Sequence, residues 1–97
     1  MTLTAKLVSD VTLTTATPEE QRHGLVGYVR LKFAGLLRLD GVTLRLTESG
    51  EHRLSFPART DGQGRRHPYF RPDDSESREL IERAVLAALG IESEPRR

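Results

Sequence analysis

Apolar residues recur with a period near two as far as Phe56 and with a period near 3.6 after Ser75, which divides the chain into a strand-rich front and a helical end. Leu7, Val11 and Leu13 share one face of a first strand expected over about residues 5–14, interrupted by the small polar Ser9. Thr15 to His23 is polar, contains Pro18 and has no apolar period, so it reads as a loop. The clearest half-buried strand follows. Leu25, Val29, Leu31 and Phe33 lie on one side with Gly27 in register, and Val26, Tyr28, Arg30 and Lys32 lie on the other.

Between Leu36 and Leu46 the apolar positions change parity: Leu37 and Leu39 are odd, whereas Val42, Leu44 and Leu46 are even. A tight Asp40-Gly41 hairpin explains the switch, and so does a bulge in one long strand; the pattern leaves both open. Ser49-Gly50 marks a turn into a last strand, His52 to Phe56, with Leu54 and Phe56 facing inward. Strands joined by short turns imply a small antiparallel meander of four to five strands. One helix completes an α+β fold. It is expected over about Ser75 to Leu89, with Asp73, Asp74 or Ser75 at its start and Gly90 as its stop. At 100° per residue Leu80, Ile81, Ala84, Val85 and Ala88 make its apolar stripe. Arg78, Glu79, Glu82 and Arg83 lie opposite with Leu86 among them, Glu79 and Arg83 being spaced for an ion pair.

A chain of 97 residues with 36% hydrophobic content supports one modest core, small enough that a second subunit would help bury apolar surface. Residues 1–92 therefore read as a single domain and 93–97 as a short polar tail. With no cysteine there is no disulfide framework, thiolate nucleophile or Cys-containing zinc site. The first residues do not read as a secretory signal and no stretch reaches membrane-spanning length, so a cytoplasmic protein is the expectation.

Charge sharpens the picture at one place. The net charge is only +1, far from the footprint of a dedicated nucleic-acid binder, yet Arg53, Arg59, Arg65, Arg66 and Arg71 lie in or beside the stretch 54–72, opposed within it only by Asp61. Guanidinium groups on a loop reach phosphates bidentately, and each neutralised phosphate releases counterions. The competing reading is a solvated loop with surface ion pairs to Asp73, Asp74 or Glu51. Tyr69 and Phe70 offer stacking for unpaired bases, although packing in a core with only five aromatic residues (two Tyr and three Phe) is the favoured role. Gly62 and Gly64 lack the Lys-Ser/Thr of a P-loop and read as turn residues. His23, His52 and His67 lack ligand spacing, and no nucleophile–base pattern stands out, so neither an enzyme nor a metal, cofactor or small-molecule site is expected.

Several segments together resemble the SpoVG family, the stage V sporulation protein G and septation-regulator proteins of bacteria. They are SDVTL at Ser9–Leu13, the strand GYVRLKF, the segment LLRLDGVTLRL, the turn ESG into RLSFPAR, the basic Gly-containing stretch, and FRP before a helix containing RELIERAVL. The likeness spans roughly Val8 to Leu89. It implies a homodimeric regulator that binds DNA and RNA, with Arg59, Arg65 or Arg66, Arg71 and Arg78 at the positions of the family's binding residues. Thr60 stands where the family often has a second basic residue, the helix is richer in acid, and Thr47 to Glu51 is about one residue longer. The alternative expectation is a protein-interaction module that recruits a partner through an exposed strand edge or the Leu86 face, with no nucleic-acid role.

Overall fold

The computed structural model describes residues 7–91; the expected start of the first strand at residues 5–6 and the polar tail at 93–97 lie outside the described residues. In chain order the elements are β1 (Val8–Thr15), α1 (Pro18–Arg22), β2 (Leu25–Phe33), β3 (Leu37–Leu46), β4 (His52–Ser55), β5 (Ala58–Thr60), β6 (Arg66–Pro68) and α2 (Ser75–Leu89). The first four strands form one antiparallel sheet in sequential order, and β5 pairs with β6 in a separate two-stranded sheet. The fold is α+β, as the apolar pattern predicts.

Bulges bring the irregular apolar pattern onto a single buried face. In β1 the register steps from Ser9↔Lys32 to Thr12↔Arg30, leaving one residue extra. Asp10 absorbs it at φ 50° and places a carboxylate oxygen 3.5 Å from Lys32 Nζ. Val8, Val11 and Leu13 consequently all pack against the core, which corrects the expected grouping of Leu7 with Val11 and Leu13. In β3 the register steps from Val29↔Val42 to Leu31↔Leu39. Asp40-Gly41 is therefore a bulge within one long strand and not a hairpin. Gly41 sits at φ 83°, where an added Cβ would also meet the Pro57 ring at 3.3 Å, and Arg30 Nε ties down the bulge by donating to Asp40 Oδ1 at 2.8 Å.

The stretch expected to be a loop at Thr15 to His23 contains a short helix. Thr17 and Glu20 form a reciprocal capping box, Pro18 occupies the first turn, and the Tyr28 hydroxyl donates to Glu20 Oε2 at 2.8 Å. The signal lay in the residues Thr-Pro-Glu-Glu themselves, not in apolar periodicity.

Helix α2 has the expected ends: Asp74 accepts from the Ser77 N–H at 2.8 Å, and Gly90 closes it at φ 76°. Its orientation differs from expectation. Val85 and Leu86 are buried in the core with Val29, Leu31, Val42, Leu44, Leu54 and Phe56, and Ile81 and Leu89 pack against it. Leu80 is 47% exposed and Ala88 is exposed. The buried stripe is thus centred on Glu82 and Leu86, so Leu86 is a core residue and not a surface leucine.

The reason is a backbone bond. β4 is the last strand of its sheet, paired to β3 through Leu44↔Leu54 and its neighbours, and an unpaired edge leaves peptide groups to be satisfied. The Leu54 N–H donates to Glu82 Oε2 at 3.0 Å, and the Leu54 carbonyl accepts from Arg78 Nη1 at 2.9 Å. Arg78 Nη1 also lies 3.0 Å from Glu82 Oε2, so the two side chains stand where a fifth strand would. The Arg78 guanidinium lies 5.6 Å from the Phe56 ring centroid, and Phe70 meets Phe56 edge-on at 6.0 Å.

Removing the carboxylate leaves a buried N–H and a partly buried guanidinium without their acceptor. We expect Glu82→Ala to lower stability by about 2 kcal/mol, a drop in Tm on the order of 10 °C for a domain of this size, with Glu82→Gln falling between. Thermal denaturation followed by circular dichroism measures this, and an alanine variant that melts with the native protein would show that the edge is satisfied in another way.

Candidate nucleic-acid interface

The basic stretch is a hairpin built on one aspartate, not an open loop. Asp61 Oδ1 accepts from the Gln63 and Arg65 N–H groups at 2.8 and 2.9 Å. Its Oδ2 accepts from Arg65 Nε at 3.0 Å and from His67 Nε2 at 2.8 Å. Main-chain bonds from Asp61 N to Arg65 O and from Gly64 N to Asp61 O complete the turn. His67 foremost, then the Arg65 and Gln63 N–H groups, hold the Asp61 carboxyl well below the usual carboxylate range, at about 2. An ionised carboxylate only accepts, so His67 Nε2 carries the hydrogen in this contact.

Hairpin register sorts the arginines. Arg59 pairs with His67 and therefore shares its face, the face on which Asp61 binds both His67 and Arg65. The Arg65 side chain remains 69% exposed because only its Nε is engaged, leaving the guanidinium fork outward. Arg66 pairs with Thr60 on the opposite face, and its Nη2 donates to the Phe56 carbonyl at 2.8 Å. Arg78 is 33% exposed and bonded to Leu54 and Glu82 as described above. Arg71 is exposed between β6 and α2.

The five sequence candidates thus fall into groups. Arg59 and Arg65 share the His67 face of the hairpin, Arg66 bonds the Phe56 carbonyl while Arg78 lies over the Phe56 ring, and Arg71 stands apart from both contact sets. Among the described residues Arg59 and Arg71 make no side-chain hydrogen bond or ion pair. The acids that bind this cluster are Asp61 and Glu82; Asp74 caps α2 instead. The aromatic pair divides as well. Phe70 packs on Phe56, whereas Tyr69 is 67% exposed, its N–H donating to the Pro57 carbonyl at 2.9 Å.

One basic surface escapes the sequence reading. Arg38, Arg45 and Arg53 alternate with buried or half-buried leucines at 39, 44 and 54, which places them on the side of the sheet away from the core along with Arg30 and Lys32. Only Arg30 and Lys32 stand in a clean alternating run; the others come into line once the β3 bulge and the β3–β4 register are known. Comparison with protein-family models, curated proteins and solved structures finds no match.

Asp61 gives the hairpin a defined acid limit. Its folded-state pKa lies below the unfolded value of about 3.9, so its contribution is complete above that value and is lost as pH falls toward about 2. Chemical shifts of the Asp61 carboxyl carbon and of the Gln63 and Arg65 amides should show an acid transition confined below about pH 3, in which they move together. A common midpoint near 4 would remove Asp61 from the centre of the turn.

Proposed function

We propose that this chain is a SpoVG-like nucleic-acid-binding regulatory protein that acts as a homodimer and contacts DNA or RNA phosphates through its basic hairpin. The observation that carries the reading is the placement of two exposed arginines, Arg59 and Arg65, on one face of a hairpin braced by Asp61 and His67. Holding the backbone in place lowers the ordering cost of binding. Arg71, the residue after Phe70 packed on the core, adds a third cation, and exposed Tyr69 adds a ring for stacking.

In this reading the family-like positions have two roles. Arg59, Arg65 and Arg71 meet phosphate, whereas Arg66 and Arg78 hold the Phe56 corner from which the hairpin projects. No catalytic step is involved. A protein-interaction module is the second reading. It draws support from Leu36 and Leu37, 86% and 59% exposed at the turn between β2 and β3, since Leu86 is buried and the β4 edge is occupied.

The test is fluorescence anisotropy with labelled duplex DNA, single-stranded DNA and RNA across a salt series. Against the native protein, Arg59→Ala/Arg65→Ala should bind more weakly, with a log-log salt slope on duplex shallower by about 0.9 per lost phosphate contact. Arg66→Ala should act chiefly on stability. A hairpin double variant that binds as tightly as native removes the hairpin assignment. If the native protein binds none of the three at low salt, the partner reading takes its place, with Leu36→Ser/Leu37→Ser in sedimentation analysis as the next step.

A further inference from the structure

Helix α2 covers one face of the four-stranded sheet, through the core it forms with the inward residues of β2, β3 and β4. The outward residues of those strands follow from register. Ser9, Lys32 and Arg38 form one row across β1, β2 and β3. Thr14, Tyr28, Thr43 and Ser55 form another across all four strands. Arg45 and Arg53 form a third across β3 and β4, and Arg30 stands between the first two rows opposite Thr12. The face therefore presents five cations around a tyrosine that is 40% exposed and fixed through its hydroxyl to Glu20.

Two of the cross-strand pairs join like charges: Lys32 is directly opposite Arg38, and Arg45 is directly opposite Arg53. Such pairs destabilise a sheet, so their presence on one face, twice, is a cost that an anion lying across them would relieve. The acids nearby offset it only in part. Asp10 approaches Lys32 at 3.5 Å, Asp40 binds Arg30 at 2.8 Å, Glu82 lies 3.4 Å from Arg53 Nε, and Glu20 stands at the Tyr28 hydroxyl. Arg38 has no side-chain partner among the described residues, and Arg45 donates to the His23 carbonyl at 3.1 Å, a neutral acceptor.

We propose that this open face binds single-stranded nucleic acid, with phosphates on the Lys32–Arg38 and Arg45–Arg53 pairs and an unpaired base stacked on Tyr28. Arg38 and Arg45 are separated by a span on the order of 20 Å along β3, long enough for a strand to cross the tyrosine between two phosphate contacts. Duplex DNA keeps its bases paired and offers Tyr28 nothing to stack on, whereas a single strand offers both base face and backbone. A second copy of the same face is disfavoured by its own charge. The proposal rests on the nucleic-acid reading above, yet it uses none of the hairpin residues.

The experiment reverses the two exposed charges. Arg38→Glu/Arg45→Glu converts both like-charge pairs into opposite-charge pairs, so the variant should melt at or above the native temperature while its affinity for labelled oligo(dT) or oligo(U) falls at least about tenfold at low salt. Tyr28→Leu should weaken oligonucleotide binding severalfold and leave duplex binding unchanged. Native-like oligonucleotide affinity in the charge-reversed protein would overturn the proposal, as would displacement of the oligonucleotide by poly-glutamate at equal charge concentration. The hairpin variant Arg59→Ala/Arg65→Ala separates the two assignments. Loss there alone leaves the hairpin reading standing and removes the sheet face, loss in the charge-reversed variant alone does the opposite, and a native protein that binds no nucleic acid removes both.

Discussion

The structure depends on how the exposed edge of β4 is closed. Leu54 presents its N–H and carbonyl away from β3, and both are taken by side chains of α2, Glu82 and Arg78. A third strand partner would have supplied a donor and an acceptor at the same separation; a carboxylate and a guanidinium four residues apart on a helix supply them instead. The order Arg then Glu along the helix is the less favourable one for an isolated i,i+4 pair, so the pair is placed for the strand's sake. With Glu82 fixed at the edge, the rotation of α2 follows, and Val85 and Leu86 go into the core while Leu80 turns outward.

The same contact reaches the hairpin. Arg78 lies over Phe56, Phe70 meets Phe56 edge-on, and Arg66 bonds the Phe56 carbonyl. The chain on both sides of the hairpin is thereby fastened to one residue at the end of the main sheet. Arg59 and Arg65 stand on a short two-stranded element that would be marginal alone. Bracing at Phe56 from outside and at Asp61 from within gives these cations a fixed backbone.

How much of this the sequence discloses depends on whether the deciding interaction is local. β2 is legible because its alternation is clear from Gly27 to Leu31, although Val26, expected on the outer face, packs against the core beside the register step between Leu25 and Gly27. The ends of α2 are legible because Asp74 and Gly90 lie beside the positions they cap. The parity change around Asp40-Gly41 reveals that something happens there, but a bulge and a hairpin make the same pattern, and only the partners of Val29 and Leu31 distinguish them. Helix α1 carries a readable capping box with no apolar stripe, so periodicity passes over it. The turn of α2 about its axis is not written in its own hydrophobic residues, because Glu82 answers to a peptide group 28 positions earlier in the chain.

Arginine counts along the sequence are likewise poor guides, and a net charge of +1 conceals the arrangement. Four of the acids are committed to backbone or bulge sites: Glu82 to the Leu54 N–H, Asp61 to the hairpin turn, Asp10 and Asp40 to the bulges of β1 and β3. Each is bound close to the chain it organises, where its charge is spent within a few ångströms. Long arginine side chains can carry their charge outward from the same backbone. Asp61 and Glu82 are largely covered, 18% and 12% exposed, whereas Asp10 and Asp40 at 62% lie as far out as the cations they meet. The bulges shape the charged face, since by keeping Val8, Val11, Leu13, Leu39, Val42 and Leu44 on the core side they leave the other side of the sheet to Arg30, Lys32, Arg38, Arg45 and Arg53. The geometry that closes the core is therefore the geometry that concentrates positive charge on its uncovered face.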